Sequence, residues 1–309
     1  MRRSTKAFPA VGARGKGYTM PSRSKLVFGG NGRLAGALRR YLPDDTRYAA
    51  RESADPRCMS VGDYGAVSAN LFGGVDTVIN VAGITSGTPY ALQRANVDAP
   101  VHLAKLARGA GVQRFVHVSS FSILGRAQYI DAATPPAPNS EYGWSKLTAE
   151  EALLALATPD FAVVLVRLPA IVGEGARDKL RRLIALWLTV RRLPVPRAPV
   201  ERSMISIEFA AHVLAAVADG DERGVLYAAD PQPFTYCKAA AVISAAIGRR
   251  VGIVKLPNSI VRLLERAVPN LFTSLYAPSV LNPTDNCANF LPSDLYHTIA
   301  RLAQQEKSV

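Results

Sequence analysis

The sequence of 309 residues is poor in the residue types that build metal sites, disulfide frameworks and membrane spans. Its 3 cysteines, at Cys58, Cys237 and Cys287, are too few and too scattered for a disulfide framework or a zinc site. The 4 histidines show no ligand spacing either. The longest apolar run, Leu183–Val190, is far shorter than the ~20 residues that a membrane span needs. We therefore predict a cytoplasmic protein with no metal and no transmembrane segment.

Acidic residues are scarce relative to basic ones, with 24 Asp and Glu against 37 Lys and Arg, so that the net charge is +13. About half of this excess lies in residues 1–25, which contain no acidic residue. A second basic cluster spans 177–202, but its only aromatic side chain is Trp187, and base stacking is therefore poorly supported. A pocket for a phosphorylated small molecule explains this cluster equally well. We predict that nucleic acid is not a partner.

Residues 1–23 are rich in Arg and Ser and lack the apolar core of a signal peptide. A transit peptide is one interpretation, although no amphipathic period is visible. A flexible basic leader, or an upstream start codon with Met20 as the first residue, is the alternative that we favour. We therefore expect the fold to begin at about residue 24.

Short apolar stretches alternate with helical patterns in the first half of the chain. The expected strands are Lys25–Phe28, 47–50, Asp76–Val81, Arg114–Val118 and Phe161–Val166, and the expected helices are 34–42, 92–107 and 142–157. Unbroken apolar strands that alternate with helices predict a parallel sheet covered on both faces, which is a doubly wound α/β domain. We assign it 24–168 and about 203–229. A smaller, mainly helical substrate-binding part takes 169–202 and 230–309, with a basic helix at 178–192 and a loop at 192–200.

A glycine-rich turn, GGNG, separates the first expected strand from the first helix. Glycines let backbone N–H groups approach a pyrophosphate at the start of a helix. The spacing is GxxGxxA instead of GxGxxG, and a simple tight turn is the alternative interpretation. The position directly after a core strand favours a nucleotide. The predicted dinucleotide contacts are Gly29, Gly32, Arg33 and Leu34.

The second expected strand ends in Arg51, and Glu52 follows one residue later. An arginine at this place can pair with a 2′-phosphate, whereas a carboxylate would accept hydrogen bonds from the ribose hydroxyls. A solvated surface arginine is the alternative. We predict NADP(H), with NAD(H) as the second choice.

In the stretch YGWSK, Tyr142 and Lys146 are one helical turn apart and share a helix face. A free tyrosine has a pKa of about 10 and is a poor acid or base at neutral pH. A nearby ammonium stabilises the phenolate, as would the positive ring of an oxidised nicotinamide. Ser120, at the end of an expected strand, can hold the same substrate oxygen. Such a pair arises by chance on many helices, but the upstream glycine turn and Ser120 favour an oxidoreductase site.

Several motifs resemble the NAD-dependent epimerase/dehydratase family of extended short-chain dehydrogenases/reductases, over about residues 25–280. They are GGNGRLAG, DTVINVAG, RFVHVSSFSILG, PAPNSEYGWSK, VRLPAIVGEG and RSMISIEFAA. The resemblance implies a Rossmann fold. It is strongest to UDP-glucose 4-epimerase-like proteins and to the 4-reductases that make UDP-N-acetylquinovosamine.

The resemblance also implies roles for individual residues. Ser120, Tyr142 and Lys146 match the catalytic set, and the lysine is also expected to hold the nicotinamide ribose. Pro169 matches a residue near the nicotinamide, and Arg202 matches the arginine that contacts the pyrophosphate of a nucleotide sugar. The other residues assigned by resemblance are Ala82, Gly83 and Asn96 for the cofactor and Ser122 for the substrate.

The sequence departs from the family pattern at three places. At the adenine edge either Ser60 or Asp63 can stand for the expected acidic residue, and both stay open. Leu124 occupies the usual tyrosine position, and the segment beyond about Pro278 lacks the family's closing pattern. Trp144 is expected to pack in the core, and so is Trp187.

We predict an enzyme that reduces the 4-keto group of a UDP-linked deoxy sugar. A 4-epimerase that retains its cofactor is the alternative, and a non-catalytic sensor or structural protein is another. A membrane-associated lipid dehydrogenase is a further alternative, because Leu183, Leu186, Trp187 and Val190 form an apolar stripe, although such a stripe more often faces a core. The resemblance implies a homodimer through the helices at 92–107 and 146–157.

Overall fold

The computed structural model of the protein describes residues 24–174, 179–289 and 291–307. The predicted leader 1–23 and Arg177 of the basic cluster lie outside these residues. The chain divides into two compact units. The first takes the chain up to Gly125, Pro135–Leu168 and Glu208–Ala228, and the second takes Arg126–Thr134, Pro169–Ile207 and the chain from Ala229 onward.

The strands and helices of both units are numbered along the chain. The strands are β1 (Lys25–Phe28), β2 (Arg47–Ala50), β3 (Met59–Ser60), β4 (Thr77–Asn80), β5 (Arg114–Ser120), β6 (Tyr129–Ile130), β7 (Ala162–Leu168), β8 (Ala170–Val172), β9 (Arg192–Pro196), β10 (Glu201–Arg202), β11 (Met204–Ser206), β12 (Gly224–Tyr227), β13 (Phe234–Thr235), β14 (Gly252–Leu256) and β15 (Val280–Leu281). The helices are α1 (Arg33–Leu38), α2 (Pro89–Gln93), α3 (Ala99–Gly109), α4 (Glu141–Leu154), α5 (Lys179–Val190), α6 (Ile207–Asp219), α7 (Tyr236–Ile247), α8 (Asn258–Ala267), α9 (Pro269–Tyr276) and α10 (Leu295–Lys307).

A seven-stranded sheet in the order β12-β7-β5-β4-β1-β2-β3 forms the first unit, and every pairing in it is parallel. Strands β1, β4 and β7 are wholly buried, and their mostly apolar composition is typical of strands covered on both faces. This order confirms the predicted doubly wound Rossmann-type sheet. The chain leaves β1 in one direction and returns to β4 on its other side, and ligands bind at such a switch point.

The second unit is built from helices and short strand pairs. The pairs are β6–β15, β8–β11 and β9–β14, which are parallel, and β10–β13, which is antiparallel. Its core gathers α5, α7 and α10 around Trp187, Phe234, Ile243 and Leu295. No helix among the described residues is long and apolar enough to cross a bilayer.

The domain boundaries differ from the predicted ones at two places. Residues 126–134 belong to the second unit, because β6 pairs with β15 there. Residues 203–207 belong to it as well, because β11 pairs with β8. Pairs of two or three residues leave no readable apolar period, so the sequence could not reveal them.

The segment 192–200 was predicted as a loop, but its first half is strand β9, paired with β14. Pro194 and Pro196 suggested a loop, yet prolines are tolerated in a strand that has only one partner.

The two tryptophans have opposite environments. Trp187 is buried as predicted and donates its indole N–H to the carbonyl of Gly252 at 2.7 Å. Trp144 was expected in the core but is 53% exposed on α4. The predicted apolar stripe of α5 is likewise divided, since Leu186 and Val190 are exposed.

Candidate functional site

The glycine turn after β1 is folded against the end of β2. The N–H groups of Gly29 and Gly30 both donate to the carbonyl of Ala49, at 3.0 and 2.9 Å. Gly29 has φ +91°, and a Cβ there would lie 2.9 Å from the backbone nitrogen of Ala82. A Cβ on Gly30 would lie 2.4 Å from Sγ of Cys58. Both positions therefore require glycine, because the turn approaches its neighbours too closely for a side chain.

Tyr64, which was not predicted as a site residue, stabilises this turn by hydrogen bonds. Its hydroxyl accepts from the N–H of Gly29 at 3.1 Å and donates to the carbonyl of Ala49 at 3.2 Å. Its ring packs edge-on against Phe28 with centroids 5.4 Å apart. Burial raises the pKa of Tyr64, so the hydroxyl keeps the proton that it donates. Tyr64 comes four residues after β3, and no sequence pattern indicated its contact with Gly29.

The start of α1 fits a dinucleotide pyrophosphate. Gly32 is the N-cap, and no side chain caps the first turn, so the positive end of the helix dipole faces the glycine turn. A cavity of about 660 Å³ opens there, lined by Gly30, Asn31, Gly32, Arg39 and Arg57 among others. The predicted contacts Arg33 and Leu34 are the first two residues of this helix.

Arg51 and Glu52 follow β2 as exposed residues. The amide of Asn31 donates to the carbonyl of Glu52, which ties the glycine turn to this loop. The hydroxyl of Ser53 donates to Asn31 Oδ1 at 2.7 Å. The loop that carries Arg51 and Glu52 thus adjoins the glycine turn.

The two candidates at the adenine edge have different partners. Ser60 Oγ accepts from the N–H of Ser53 at 2.9 Å. Asp63 caps the turn Tyr64–Ala66 by accepting from the N–H of Gly65, and it also pairs with Arg94 at 2.6 Å. These two contacts lower the pKa of Asp63, which keeps it a carboxylate.

Ser120, Tyr142 and Lys146 meet at the carboxyl end of β5. Ser140 caps α4 by accepting from the N–H of Gly143 at 3.1 Å, so Tyr142 and Lys146 follow on its first turns. A Cβ on Gly143 would lie 2.5 Å from the carbonyl of Ser122, and only glycine lets α4 approach the turn after β5 this closely.

The hydroxyl of Ser120 is oriented by Ser122 and forms a hydrogen bond with Tyr142. The Ser120 hydroxyl donates to Ser122 Oγ and accepts from the N–H of Ser122, both at 3.1 Å. Burial raises the pKa of Tyr142, and a hydrogen bond with Ser120 opposes that rise. The half-buried tyrosine is therefore protonated at neutral pH and can serve as a proton donor.

Lys146 is buried, and its amine contacts β5. Nζ donates to the carbonyl of Val118 at 2.7 Å and lies 3.3 Å from Nε2 of His117. Burial lowers the pKa of Lys146 to about 8, while the negative charge of Glu150 opposes this change. His117 and its partner Asn80 were missed in the sequence, although His117 lies between two valines in β5 and Asn80 ends β4.

Asn96 connects the segment after β4 to α4. It lies in a π-helical segment, Arg94–Asp98, between α2 and α3. Its amide accepts from the N–H of Ile84 and donates to the carbonyl of Ile84, both at 2.9 Å, and also donates to Ser145 Oγ at 3.0 Å. A Cβ on Gly83 would lie 3.0 Å from Asn96 Oδ1. Asn96 therefore positions this segment, and its direct contact with a cofactor stays a prediction, as does that of Ala82.

Pro169 and Arg202 belong to the second unit. Arg202 lies in β10, where it is paired in register with Phe234. Burial lowers its pKa, while the nearby Tyr236 hydroxyl opposes that change. Their assigned contacts with the nicotinamide and with the substrate stay predictions.

A sequence model of the NAD dependent epimerase/dehydratase family matches residues 26–193, which is more than half of the chain. The chain belongs to the NAD-dependent epimerase/dehydratase family. This confirms the resemblance drawn from the motifs, and it favours an NAD-dependent enzyme over the non-catalytic alternative. Among the described residues, no group of three or more His, Cys, Asp or Glu side chains could hold a metal ion.

Among curated relatives, a UDP-glucose 4-epimerase of Vibrio cholerae is 32% identical over 128 residues, which cover 38% of each chain. A uronate dehydrogenase of Pseudomonas syringae pv. tomato is 26% identical over 184 residues, covering 55% of this chain and 66% of that protein. Both alignments span less than two thirds of the relative. Among solved structures, MoeE5 in complex with UDP-glucuronic acid and NAD has a TM-score of 0.70 at 20% identity, covering 93% of this chain and 100% of MoeE5. That likeness shows a shared fold.

Proposed function

We propose that this member of the family reduces the 4-keto group of a UDP-linked deoxy sugar with a nicotinamide dinucleotide. The observation that carries the proposal is the meeting of Ser120, Tyr142 and Lys146 at the end of β5, in the unit that also carries the glycine turn. A proton donor beside a dinucleotide turn suits carbonyl reduction. The restriction to UDP-linked sugars comes from the family resemblance.

The three side chains have distinct roles in this proposal. The bound nicotinamide supplies the hydride. Tyr142 donates its phenolic proton to the sugar oxygen, a general-acid step that contributes about 10²–10⁴-fold. Ser120, oriented by the N–H of Ser122, holds the same oxygen by a hydrogen bond. Lys146 as an ammonium stabilises the phenolate and donates to the nicotinamide ribose.

NADP(H) is the cofactor that we propose. Arg51, exposed directly after β2, can pair with a 2′-phosphate, and NADPH is usually drawn from a reducing pool and exchanged at each turnover. NAD(H) is the alternative, since the neighbour MoeE5 has a structure with NAD. The choice of NADP(H) over NAD(H) thus depends on one cationic side chain, that of Arg51.

Arg202 is proposed as the partner of the sugar nucleotide's pyrophosphate. Its planar guanidinium offers donors that match phosphate oxygens, and removal from water strengthens such pairs. Arg202 is partly buried, and burial lowers its pKa without removing its charge.

A 4-epimerase is the second candidate, and the Vibrio cholerae relative favours it. An epimerase would oxidise and re-reduce one carbon with a retained cofactor, so the two candidates differ in net consumption of reduced cofactor.

The deciding experiment mixes the protein with a UDP-4-keto-6-deoxy-N-acetylhexosamine and NADPH or NADH, and follows the absorbance of the reduced cofactor. Loss of one reduced cofactor per 4-hydroxy product supports reduction, and Tyr142→Phe is the inactive control. Interconversion of UDP-hexoses without net cofactor consumption would overturn the reductase and establish the epimerase.

A further inference from the structure

Three buried polar side chains, Asn80, His117 and Lys146, form a chain of contacts that ends at the proposed catalytic site. Asn80 and His117 are partners in the register of β4 and β5, and both are at most 1% exposed. Asn80 Nδ2 lies 3.0 Å from His117 Nδ1, and His117 Nε2 lies 3.3 Å from Lys146 Nζ. The chain therefore runs from β4 through β5 to the catalytic lysine on α4.

The backbone N–H of Ala82 fixes the first member of this chain. It donates to Asn80 Oδ1 at 3.1 Å, so the amide oxygen faces Ala82 and the NH₂ group faces His117. An amide NH₂ only donates, and His117 Nδ1 must therefore accept. A neutral imidazole carries one proton, which is consequently on Nε2.

This tautomer determines whether His117 Nε2 presents a hydrogen-bond donor or an acceptor to Lys146. Nε2–H points a donor at the lysine, and an ammonium has three donors and no acceptor. An uncharged amine accepts from Nε2–H through its lone pair and still donates to the carbonyl of Val118 at 2.7 Å. The uncharged amine therefore satisfies both neighbours, whereas the ammonium satisfies only one.

We propose that His117, fixed in one tautomer by Asn80, is a positioning residue that favours the uncharged amine of Lys146 over its ammonium until a dinucleotide binds. The inference rests on the proposed function for the second part of this statement, the change on cofactor binding. The first part concerns the cofactor-free protein alone.

The surrounding charges agree with this assignment. Burial lowers the pKa of Lys146 to about 8, and burial is also the main cause that lowers the pKa of His117 well below its ordinary value, so the imidazole stays neutral. Glu150, one turn later on α4, opposes the change at Lys146, but Arg167 of β7 engages both of its carboxylate oxygens at 2.6 to 3.2 Å. Tyr142, one turn earlier on this helix, is protonated at neutral pH, and the two remaining carboxylates of α4, Glu141 and Glu151, are exposed.

The consequence is a proton linked to cofactor binding. In the proposed function Lys146 acts as an ammonium that donates to the nicotinamide ribose and stabilises the Tyr142 phenolate. Above pH 8 the amine must then leave His117 and take up one proton when the dinucleotide binds. Below pH 8 Lys146 is already mostly an ammonium, and cofactor binding then takes up less than one proton.

The first test is NMR of the cofactor-free protein with ¹⁵N-labelled histidine and ¹³C-labelled lysine, assigned with His117→Phe and Lys146→Arg. We expect His117 protonated on Nε2 alone, and a Lys146 pKa of about 8 against 10.5 for an exposed lysine. A proton on Nδ1, or a Lys146 that titrates like an exposed lysine, would overturn the inference. This measurement needs no variant to be functional.

The second test reverses the tautomer with Asn80→Asp. The carboxylate can accept from both Ala82 N–H and His117 Nδ1–H, which turns the lone pair of Nε2 toward Lys146. We expect the pKa of Lys146 to rise by about 1–3 units. In the double variant Asn80→Asp/His117→Phe the rise should shrink, because the ring that transmits it is gone. An equal rise in both would mean that the new charge acts alone, and the inference would be wrong.

His102→Gln is the matched control, since His102 is a half-buried histidine of the same unit whose Nε2 lies 3.2 Å from the carbonyl of Val67. It should leave the Lys146 titration unchanged.

Calorimetry above pH 8, in two buffers of different ionisation enthalpy, tests the link to the cofactor. The parent should take up close to one proton per NADPH bound, and Asn80→Asp should take up less. Binding without proton uptake contradicts the inference. Absence of any dinucleotide binding contradicts the proposed function, and the NMR titration then decides the inference by itself.

Discussion

At the scale of single residues, the proton donor gives the first prediction. Tyr142→Phe removes the phenolic proton but keeps the ring, and turnover should fall about 10²–10⁴-fold. Dinucleotide binding, followed by fluorescence titration, should stay nearly unchanged, because the glycine turn and α1 are untouched. Full activity in this variant would transfer the proton role to another group and undo the mechanism.

The second prediction concerns pH. Burial lowers the pKa of Lys146 from 10.5 to about 8, so the ammonium is retained below this value and lost above it. Because the proposed mechanism needs the ammonium, kcat/KM should fall as pH rises through about 8. Lys146→Ala should weaken both cofactor binding and turnover. A kcat/KM profile that stays flat through this range would show that the charge of Lys146 is not required.

The sequence predicted those site residues whose spacing is local. Tyr142 and Lys146 are one helical turn apart, and Ser120 ends an apolar strand, so both patterns are visible without a structure. His117 and Asn80 are 37 positions apart and meet only because β4 and β5 are neighbours in register. Tyr64 reaches Gly29 from 35 positions away. Residues that act through a partner from a distant strand could not be found before the strand order was known.

At the scale of secondary-structure elements, the glycine turn gives a matched pair of substitutions. Gly29 has φ +91° and meets the backbone of Ala82, whereas Gly36 lies within α1 and a Cβ there would meet nothing within 4 Å. Gly29→Ala should lower the free energy of unfolding by about 1–3 kcal/mol, and Gly36→Ala should raise it by about 0.5–1 kcal/mol. Urea denaturation measures both. Equal effects of the two substitutions would show that the turn is not strained.

Elements of the sheet were predictable, and those of the second unit much less so. Strands β1, β4 and β7 are wholly buried and β5 is mostly buried, which leaves mainly apolar stretches in the sequence. The pairs of the second unit involve strands of two to five residues, too short for a period to appear. The π-helical segment around Asn96 has no distinguishing sequence pattern, because its side chains follow the helical pattern on either side.

At the scale of the whole molecule, cofactor binding should be visible as stabilisation. A ligand present at 100 times its Kd adds about 2.7 kcal/mol to the free energy of unfolding, which raises Tm. We expect NADPH to raise Tm more than NADH at equal concentration. Arg51→Ala should reduce the NADPH effect more than the NADH effect, since only NADPH carries a 2′-phosphate. Equal losses would remove the NADP preference, and Arg126→Ala is a basic-residue control outside the glycine turn.

Assembly into a homodimer, which the family resemblance implies, concerns the outer face of α4. Trp144 is 53% exposed and Leu154 is 37% exposed on this helix, and their separation of ten residues places them about 80° apart around its axis, within one half of its surface. Large exposed apolar side chains on one helix face mark a surface that can pair with a second copy. We predict that Trp144 and Leu154 are covered in a dimer formed through α3 and α4.

Light scattering of the purified protein over a range of concentrations measures its mass in solution. The parent should be a dimer, and Leu154→Arg should shift it toward a monomer, because a charge removed from water without a partner opposes association. Leu263→Arg is the matched control, since Leu263 is 66% exposed on α8 in the other unit. It should leave the mass unchanged. A parent that is monomeric throughout, or a dimer lost through Leu263→Arg and kept in Leu154→Arg, would contradict the assignment of the interface to α4.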